Sequence, residues 1–235
     1  MSSDTYNWNE SQPGVLRVFQ TWKENRAFYD RLSGAYDLLI YRSEEPIHQV
    51  ALRKLNIRPE EKVLEIGFGT GHCLTTLARA TGPTGRVYGI DLSTEMLNLA
   101  QQNLEQAGLA NQAELSCGDA TRLPYPADSL DAVFMSFVLE LFDTPEIPKV
   151  LAECRRVLRP GGRIIIASLS KEGKGGIILR ALEWLYQHYP AFVDCRDIFV
   201  RRSLEAAGFR LEDTEKRKMW GQVEIVLAVK DGVEI

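Results

Sequence analysis

Val63-Leu64-Glu65-Ile66-Gly67-Phe68-Gly69-Thr70-Gly71 is a short apolar run followed by three glycines at alternate positions, and a helical pattern comes next. Glycine has no Cβ and tolerates positive φ, so such a turn between strand and helix lets a ligand lie against bare backbone at a helix N-terminus. The dinucleotide fingerprint G-x-G-x-x-G would need a glycine at position 72, where the chain has His72. The turn therefore reads as a nucleotide-binding loop of another kind. Two acids extend the signal: Asp91 ends a second apolar run and Asp119 ends a third.

Working outward, strand-like runs at Val63–Ile66, Arg86–Ile90, Ala113–Cys117, Ala132–Met135 and Arg163–Ala167 alternate with helical periods near 71–81, 94–107 and 145–158. Alternation of this kind predicts an α/β fold with a parallel sheet. Gly108 stops the second helix and Pro160-Gly161-Gly162 the third. Ahead of the first strand, Ser43 is placed to cap a helix carrying Ile47, Val50, Ala51 and Leu55 on one face. Residues 1–57 read as an N-terminal helical cap region and 58–235 as the core, with a further helical segment inserted at about 171–205. Phe209–Glu215 and Val223–Val229 are the last strand candidates.

Composition bounds the partners. The chain has 235 residues, 45% of them apolar, and a formal charge of −4, with no window dense enough in Lys or Arg to track phosphates. Nucleic acid is not expected as a partner. The N-terminus has neither a basic region nor an apolar core, and no run approaches the length of a membrane span, so the expectation is a cytoplasmic protein without an integral membrane segment. Cys73, Cys117, Cys154 and Cys195 are widely spaced with no C-x-x-C pair, which predicts reduced thiols and no metal site. Nothing in the sequence sets the oligomeric state.

The pattern E-x-G-x-G-x-G from Glu65 to Gly71, with an acid after the next strand, resembles the first motif of the class I S-adenosylmethionine-dependent methyltransferases. Gly118-Asp119-Ala120, Leu123-Pro124-Tyr125-Pro126, the turn Arg156–Gly162 and the repeats Tyr29-Asp30 and Tyr36-Asp37 resemble the ubiquinone/menaquinone C-methyltransferase group. The resemblance implies a Rossmann-like, seven-stranded, mostly parallel sheet ending in an antiparallel hairpin, with a helical cap. It implies S-adenosyl-L-methionine as cofactor and a small-molecule methyl acceptor, quinone-like in that group. The chain departs from the group after strand four, where Val138-Leu139-Glu140-Leu141-Phe142-Asp143 replaces an I-R-N-type segment. It departs again at Pro46-Ile47-His48-Gln49, which replaces a His-Arg-x-Trp pattern.

Each cofactor group has a matching residue type. A carboxylate at the end of the second strand, Asp91, can accept hydrogen bonds from both ribose hydroxyls; the plain alternative is a turn acid before the helix capped by Ser93. Asp119, followed by Ala120, can accept from the adenine amine, or it is simply an Asp in a Gly-Asp turn. Leu92 and Met96 can flank the adenine or belong to the core. Glu65 sits in a strand expected to be buried, where an ionised carboxylate without partners is costly, and the resemblance places it near the methionyl end. Gly67, Gly69 and Gly71 give close approach to the methionyl and ribose parts. Ser136, Phe137 and Glu140 are placed to line the transfer site after strand four.

By resemblance, Tyr29 or Tyr36 meets the cofactor tail; as a helical stripe with Leu32 and Leu39 both can equally be packing. Methyl transfer from a sulfonium is an in-line displacement that depends mainly on orientation, and a base is needed only for a protonated, weakly nucleophilic acceptor. Candidates are His188, Glu140, Tyr29 and His72, and the sequence does not choose among them. Transfer to nitrogen, sulfur or arsenic, or a cofactor-binding module without transfer, are the alternatives.

Overall fold

The computed structural model describes residues 15, 17–18, 42–172, 196–219 and 221–232. The alternating segments become α1 (Arg42–Leu55), β1 (Lys62–Ile66), α2 (His72–Thr81), β2 (Arg86–Asp91), α3 (Thr94–Gln106) and β3 (Ala113–Cys117). They continue as β4 (Leu130–Ser136), α4 (Ile147–Val157), β5 (Leu158–Leu169), α5 (Val200–Ala206), β6 (Phe209–Lys218) and β7 (Gln222–Lys230). The seven strands form one sheet in the order β3-β2-β1-β4-β5-β7-β6. β1 pairs in parallel with β2 and β4, and β7 runs antiparallel between β5 and β6. The sheet is Rossmann-like, mostly parallel and closed by a C-terminal antiparallel hairpin, as the motifs imply. Strand order reverses at β1, and in such sheets ligands bind beyond the carboxyl ends of the strands at that switch point.

Period-2 side-chain placement divides the core between the two faces. Leu64, Ile66, Val133, Met135, Ile164 and Ile166 pack on one side with Ile147, Val150, Leu151 and Cys154 of α4 and with Val200 and Leu204 of α5. Val63, Ala132, Phe134, Ile165 and Ala167 pack on the other with α1, α2 and α3, through residues such as Leu55, Leu74 and Leu104. Each fully buried Leu or Ile contributes about 1.5–3 kcal/mol of transfer free energy. Since Ile47, Val50, Ala51 and Leu55 sit in this second cluster, α1 shares the hydrophobic core of the sheet.

Three boundaries differ from the sequence reading. Ser43 lies inside α1, which already includes Arg42, so it does not cap that helix. α4 is narrower than the apolar stripe suggests, because Thr144 to Glu146 form a turn ahead of it. Pro160-Gly161-Gly162 is no turn ahead of β5. It lies within the strand as a bulge: Leu130 faces Leu158 and Ala132 faces Arg163, so the residues between loop out, with Gly161 at φ 74°. The expected helix of the insert, including His188 and Cys195, falls outside the described residues, as do Tyr29 and Tyr36. Among the described residues no helix is long and apolar enough to cross a membrane.

Candidate cofactor site

The glycine loop leaves β1 and is tied at once to the end of β2. The Gly67 N–H donates to the Ile90 carbonyl at 2.8 Å, and the Gly69 N–H donates to Asp91 Oδ2 at 2.9 Å. The other Asp91 oxygen accepts from the Ser93 N–H at 2.9 Å, and Ser93 Oγ accepts from the Met96 N–H at 3.0 Å to cap α3. Asp91 thus fastens the glycine loop to the start of α3, joining the turn role and the loop role in one half-buried carboxylate. Asp119, exposed beyond β3, accepts from the Thr121 N–H at 2.8 Å and hydroxyl at 2.7 Å. These local bonds leave its outer lone pairs facing solvent. Leu92 is partly exposed next to Asp91 in the chain, whereas Met96 and Ala120 are buried.

The glycines serve packing as much as ligand approach. A Cβ on Gly67 would lie 2.3 Å from Val138 Cγ2, and one on Gly71 would lie 2.9 Å from the Ala100 Cβ of α3. Gly67 therefore admits the side chain of the loop after β4, and Gly71 admits α3.

Beneath the loop is a cavity of about 30 Å³, lined by Glu44 and His48 of α1, Glu65 of β1, Gly67 to Thr70, His72 and Cys73 of α2, and Phe134 and Ser136 of β4. It has room for a group the size of an ammonium. Glu65 is 4% exposed, and its Oε2, like Ser136 Oγ, is buried with no hydrogen-bond partner among the described residues. Burial, with Asp91 adding, pushes the Glu65 carboxyl well above the usual range. Burial, with His72 adding, pushes the His48 imidazole down to about 4, so it is neutral beside Glu44, 3.7 Å away. Among the described residues no lysine or arginine lines the cavity.

Ser136 leads into Phe137, which holds φ 55°, a conformation that costs a residue other than glycine about 1–3 kcal/mol and is concentrated at functional sites. The Phe137 N–H donates to the Ala167 carbonyl at 2.8 Å, and its ring meets His48 edge-on at 6.1 Å. The loop beyond is pinned from two directions. Arg196, 3% exposed, donates to the Glu140 carbonyl and Thr144 Oγ1 at 3.0 Å each, and to the Phe142 carbonyl. Arg17 grips Asp143 through both carboxylate oxygens at 2.7 and 2.6 Å. Burial pushes Asp143 up, but Arg17 and the Val18 and Thr144 N–H groups outweigh it and hold the carboxyl below the usual range.

The fold therefore brings together Glu65, the glycines, Asp91, Leu92 and Ser136 around the carboxyl ends of β1, β2 and β4, with Asp119 at the end of β3. Glu140 is fully buried, and its Oε1 accepts from the Leu169 N–H at 3.4 Å, while His72 lines the cavity. Glu44, His48 and Arg196 were not among the expected site residues. Their one sequence signal is the Glu44-x-x-x-His48 spacing on a helix face. Cys73 and Cys154 lie on opposite faces of the sheet, so the described cysteines do not converge. Among the described residues no group of metal-ligating side chains occurs.

Comparison with known proteins bears on the family and the fold. Residues 63–162 match the family model described as a methyltransferase domain. The chain is 32% identical to a demethylmenaquinone methyltransferase of Geobacillus stearothermophilus over 177 residues, 75% of this chain and 71% of that protein. It is 33% identical over 168 residues to the ubiquinone/menaquinone biosynthesis C-methyltransferase UbiE of Burkholderia mallei, covering 72% of this chain and 65% of that one. Among solved structures, a SAM-dependent methyltransferase from Aquifex aeolicus superposes with a TM-score of 0.61 at 25% identity, over 87% of this chain and 97% of that one. The cyclase SpnF superposes with a TM-score of 0.75 at 18% identity, over 93% and 98%, and shares the fold. The chain belongs to the class I S-adenosylmethionine-dependent methyltransferases and uses that cofactor.

Proposed function

We propose that this methyltransferase acts on a small apolar acceptor, with a quinone-like aromatic carbon as the leading class. The names of the relatives support that class, since both act in quinone biosynthesis by those names. When bound, S-adenosylmethionine supplies a methyl group already activated by the sulfonium charge, so the protein's task is to position.

One observation supports the placing of the cofactor: buried polar atoms of Glu65 and Ser136, without hydrogen-bond partners among the described residues, line the cavity under the glycine loop. An ammonium brings the donors those two acceptors lack. In this reading Glu65 and Ser136 take the methionyl end, with the backbone of Gly67, Gly69 and Gly71 alongside. Asp91, at the end of β2, takes the ribose, and Asp119 and Leu92 flank the adenine. Met96 and Ala120 back that wall from the core. Tyr29 and Tyr36 are assigned to the tail by family resemblance alone, as is the helical cap of residues 1–57 and about 171–205.

Calorimetry tests the reading. S-adenosylmethionine and its demethylated product should both bind, and Asp91→Ala should weaken each by about 1.5–3 kcal/mol per lost charged hydrogen bond. Binding of NAD in preference to both would overturn the assignment. Incubation of methyl-labelled cofactor with demethylmenaquinone, a catechol and a thiol would then sort the acceptor classes, and transfer to none of them would favour a module that binds without transfer.

A further inference from the structure

The cavity under the glycine loop poses an electrostatic problem that the assignment of Glu65 does not by itself solve. Every titratable group facing Glu65 among the described residues is an acid, a thiol or an imidazole: Glu44 and His48 on α1, His72 and Cys73 on α2, and Asp91 at the end of β2. Phe134 and Ser136 close the β4 side without charge. Among the described residues no cation balances the carboxylate, and none places a donor within reach of Glu65 Oε2, although the group is almost wholly removed from water. An ionised carboxylate in that setting costs several kcal/mol, which a neutral acid avoids.

We propose that cofactor capture is coupled to proton release: Glu65 stands as the neutral acid in the cofactor-free protein and gives up its proton when the ammonium of the cofactor's amino-acid end arrives. The inference rests on the placing of the methionyl end proposed above. In the step the carboxyl O–H bond breaks, the proton leaves to solvent, and an ammonium N–H donates to the carboxylate that remains. The ammonium enters already protonated, so the charge balance is one proton released for one cation bound. Above about pH 8 the free amine is itself neutral, takes the Glu65 proton directly, and net release fades. Burial, with the Asp91 charge adding, holds the Glu65 proton in place until then. The opposite orientation of the ligand, with its carboxylate against Glu65, would keep the acid neutral and release nothing.

The linkage sets a pH profile. Affinity rises with pH wherever binding releases a proton, by up to about tenfold per pH unit for a single group, and levels off once Glu65 is ionised without ligand. The sulfonium is not needed for the effect, so the demethylated product, which keeps the ammonium, should behave as S-adenosylmethionine does.

The experiment is calorimetric titration of the full chain with each ligand, in phosphate and in Tris, from about pH 5 to about pH 9. These buffers differ in ionisation enthalpy, so a buffer-dependent heat counts the protons. The wild type should release up to about one proton per ligand in the rising part of the affinity curve. Glu65→Gln should release none there and bind at least tenfold more weakly at the top of the curve. Tight wild-type binding with heats independent of buffer throughout would overturn the proposal while leaving the cofactor assignment intact, and that arm needs no variant to fold. Release undiminished in Glu65→Gln would also overturn it, by moving the proton to another group. Absence of binding by either ligand would remove both the assignment and the proposal.

Discussion

Glu61 and Glu65 stand at the two ends of β1, and the fold treats them in opposite ways although burial is nearly the same, at 8% and 4% exposure. Glu61, on the rim away from the site, accepts from Arg163 Nη1 at 2.9 Å and Nη2 at 2.7 Å and from the Arg58 N–H at 2.9 Å. Arg163 also donates to the carbonyls of Leu55 and Asn56, closing the loop between α1 and β1. Burial pushes Glu61 up, yet the hydrogen bonds from Arg163 and Arg58 outweigh it and hold the carboxyl below the usual range. Glu65 on the site rim has no such partners among the described residues, and burial, with the Asp91 charge adding, drives it the other way. A buried acid at one rim completes the structure; at the other it waits for something the described residues do not supply.

The largest expected effect comes from breaking the completed rim. Arg163→Ala would leave the Glu61 carboxylate buried without its partner, and loss of one member of such a pair costs about 3–5 kcal/mol. Urea denaturation should show that loss, with cofactor affinity of the folded protein preserved because the change lies at the far end of the strands. Glu65→Gln removes no hydrogen bond that Oε2 makes with the described residues, so its stability should stay within about 1 kcal/mol of wild type. Equal losses in the two variants would erase the distinction between the rims.

The same contrast divides what could be read in the sequence from what could not. The parallel strands were legible because short apolar runs bounded by Gly, Asp and Pro carry their own signal, and Asp91 because it ends one of them. Glu44 and His48 were not: in α1 the stripe of Ile47, Val50, Ala51 and Leu55 accounts for the burial, and nothing local shows that the same helix also faces the cavity under the glycine loop. Arg196 reads as one more charge in the polar run Val193-Asp194-Cys195-Arg196-Asp197. Only the loop after β4, distant in sequence, turns it into a buried clamp. Gly67 was read as a ligand-facing glycine, and its contact with Val138 depends on how far the β4 loop reaches over the turn.

That contact gives the next effect in size. Gly67→Ala must both hold φ near 68° and displace Val138, which together should cost about 3 kcal/mol. Gly108, following α3 toward the far rim, holds φ 70° with nothing within 4 Å of a Cβ placed there. Gly108→Ala should therefore cost only the backbone strain, about 1–2 kcal/mol. Adding Val138→Ala to Gly67→Ala should bring the two variants closer together in denaturant midpoint, since it removes the crowding and leaves the strain. Cofactor affinity should fall in Gly67→Ala and not in Gly108→Ala; a parallel fall would mean that turns on both rims communicate with the site.

The smallest effect is also the most direct reading of the two glutamates, because their titrations bend the stability curve in opposite senses. The Glu61 carboxyl in the folded protein lies below its unfolded value, so its contribution is complete above the unfolded value and is lost as pH falls through the folded one. The Glu65 carboxyl lies above its unfolded value, so the folded protein holds a proton that the unfolded chain has already given up. Its contribution is complete below the unfolded value and is lost as pH rises toward the folded one. A single group can tilt stability by at most about 1.4 kcal/mol per pH unit within its window. Urea midpoints measured from about pH 4 to about pH 9 should therefore flatten on the acid side in Glu61→Gln and on the alkaline side in Glu65→Gln. Saturating S-adenosylmethionine should abolish the alkaline-side slope in the wild type, since the bound cation makes the ionised form the favoured one, and should leave the Glu61 contribution on the acid side as it was. Should both variants flatten the same side, the two carboxyls would share one ionisation state, and the difference between the rims would be one of hydrogen bonding without charge.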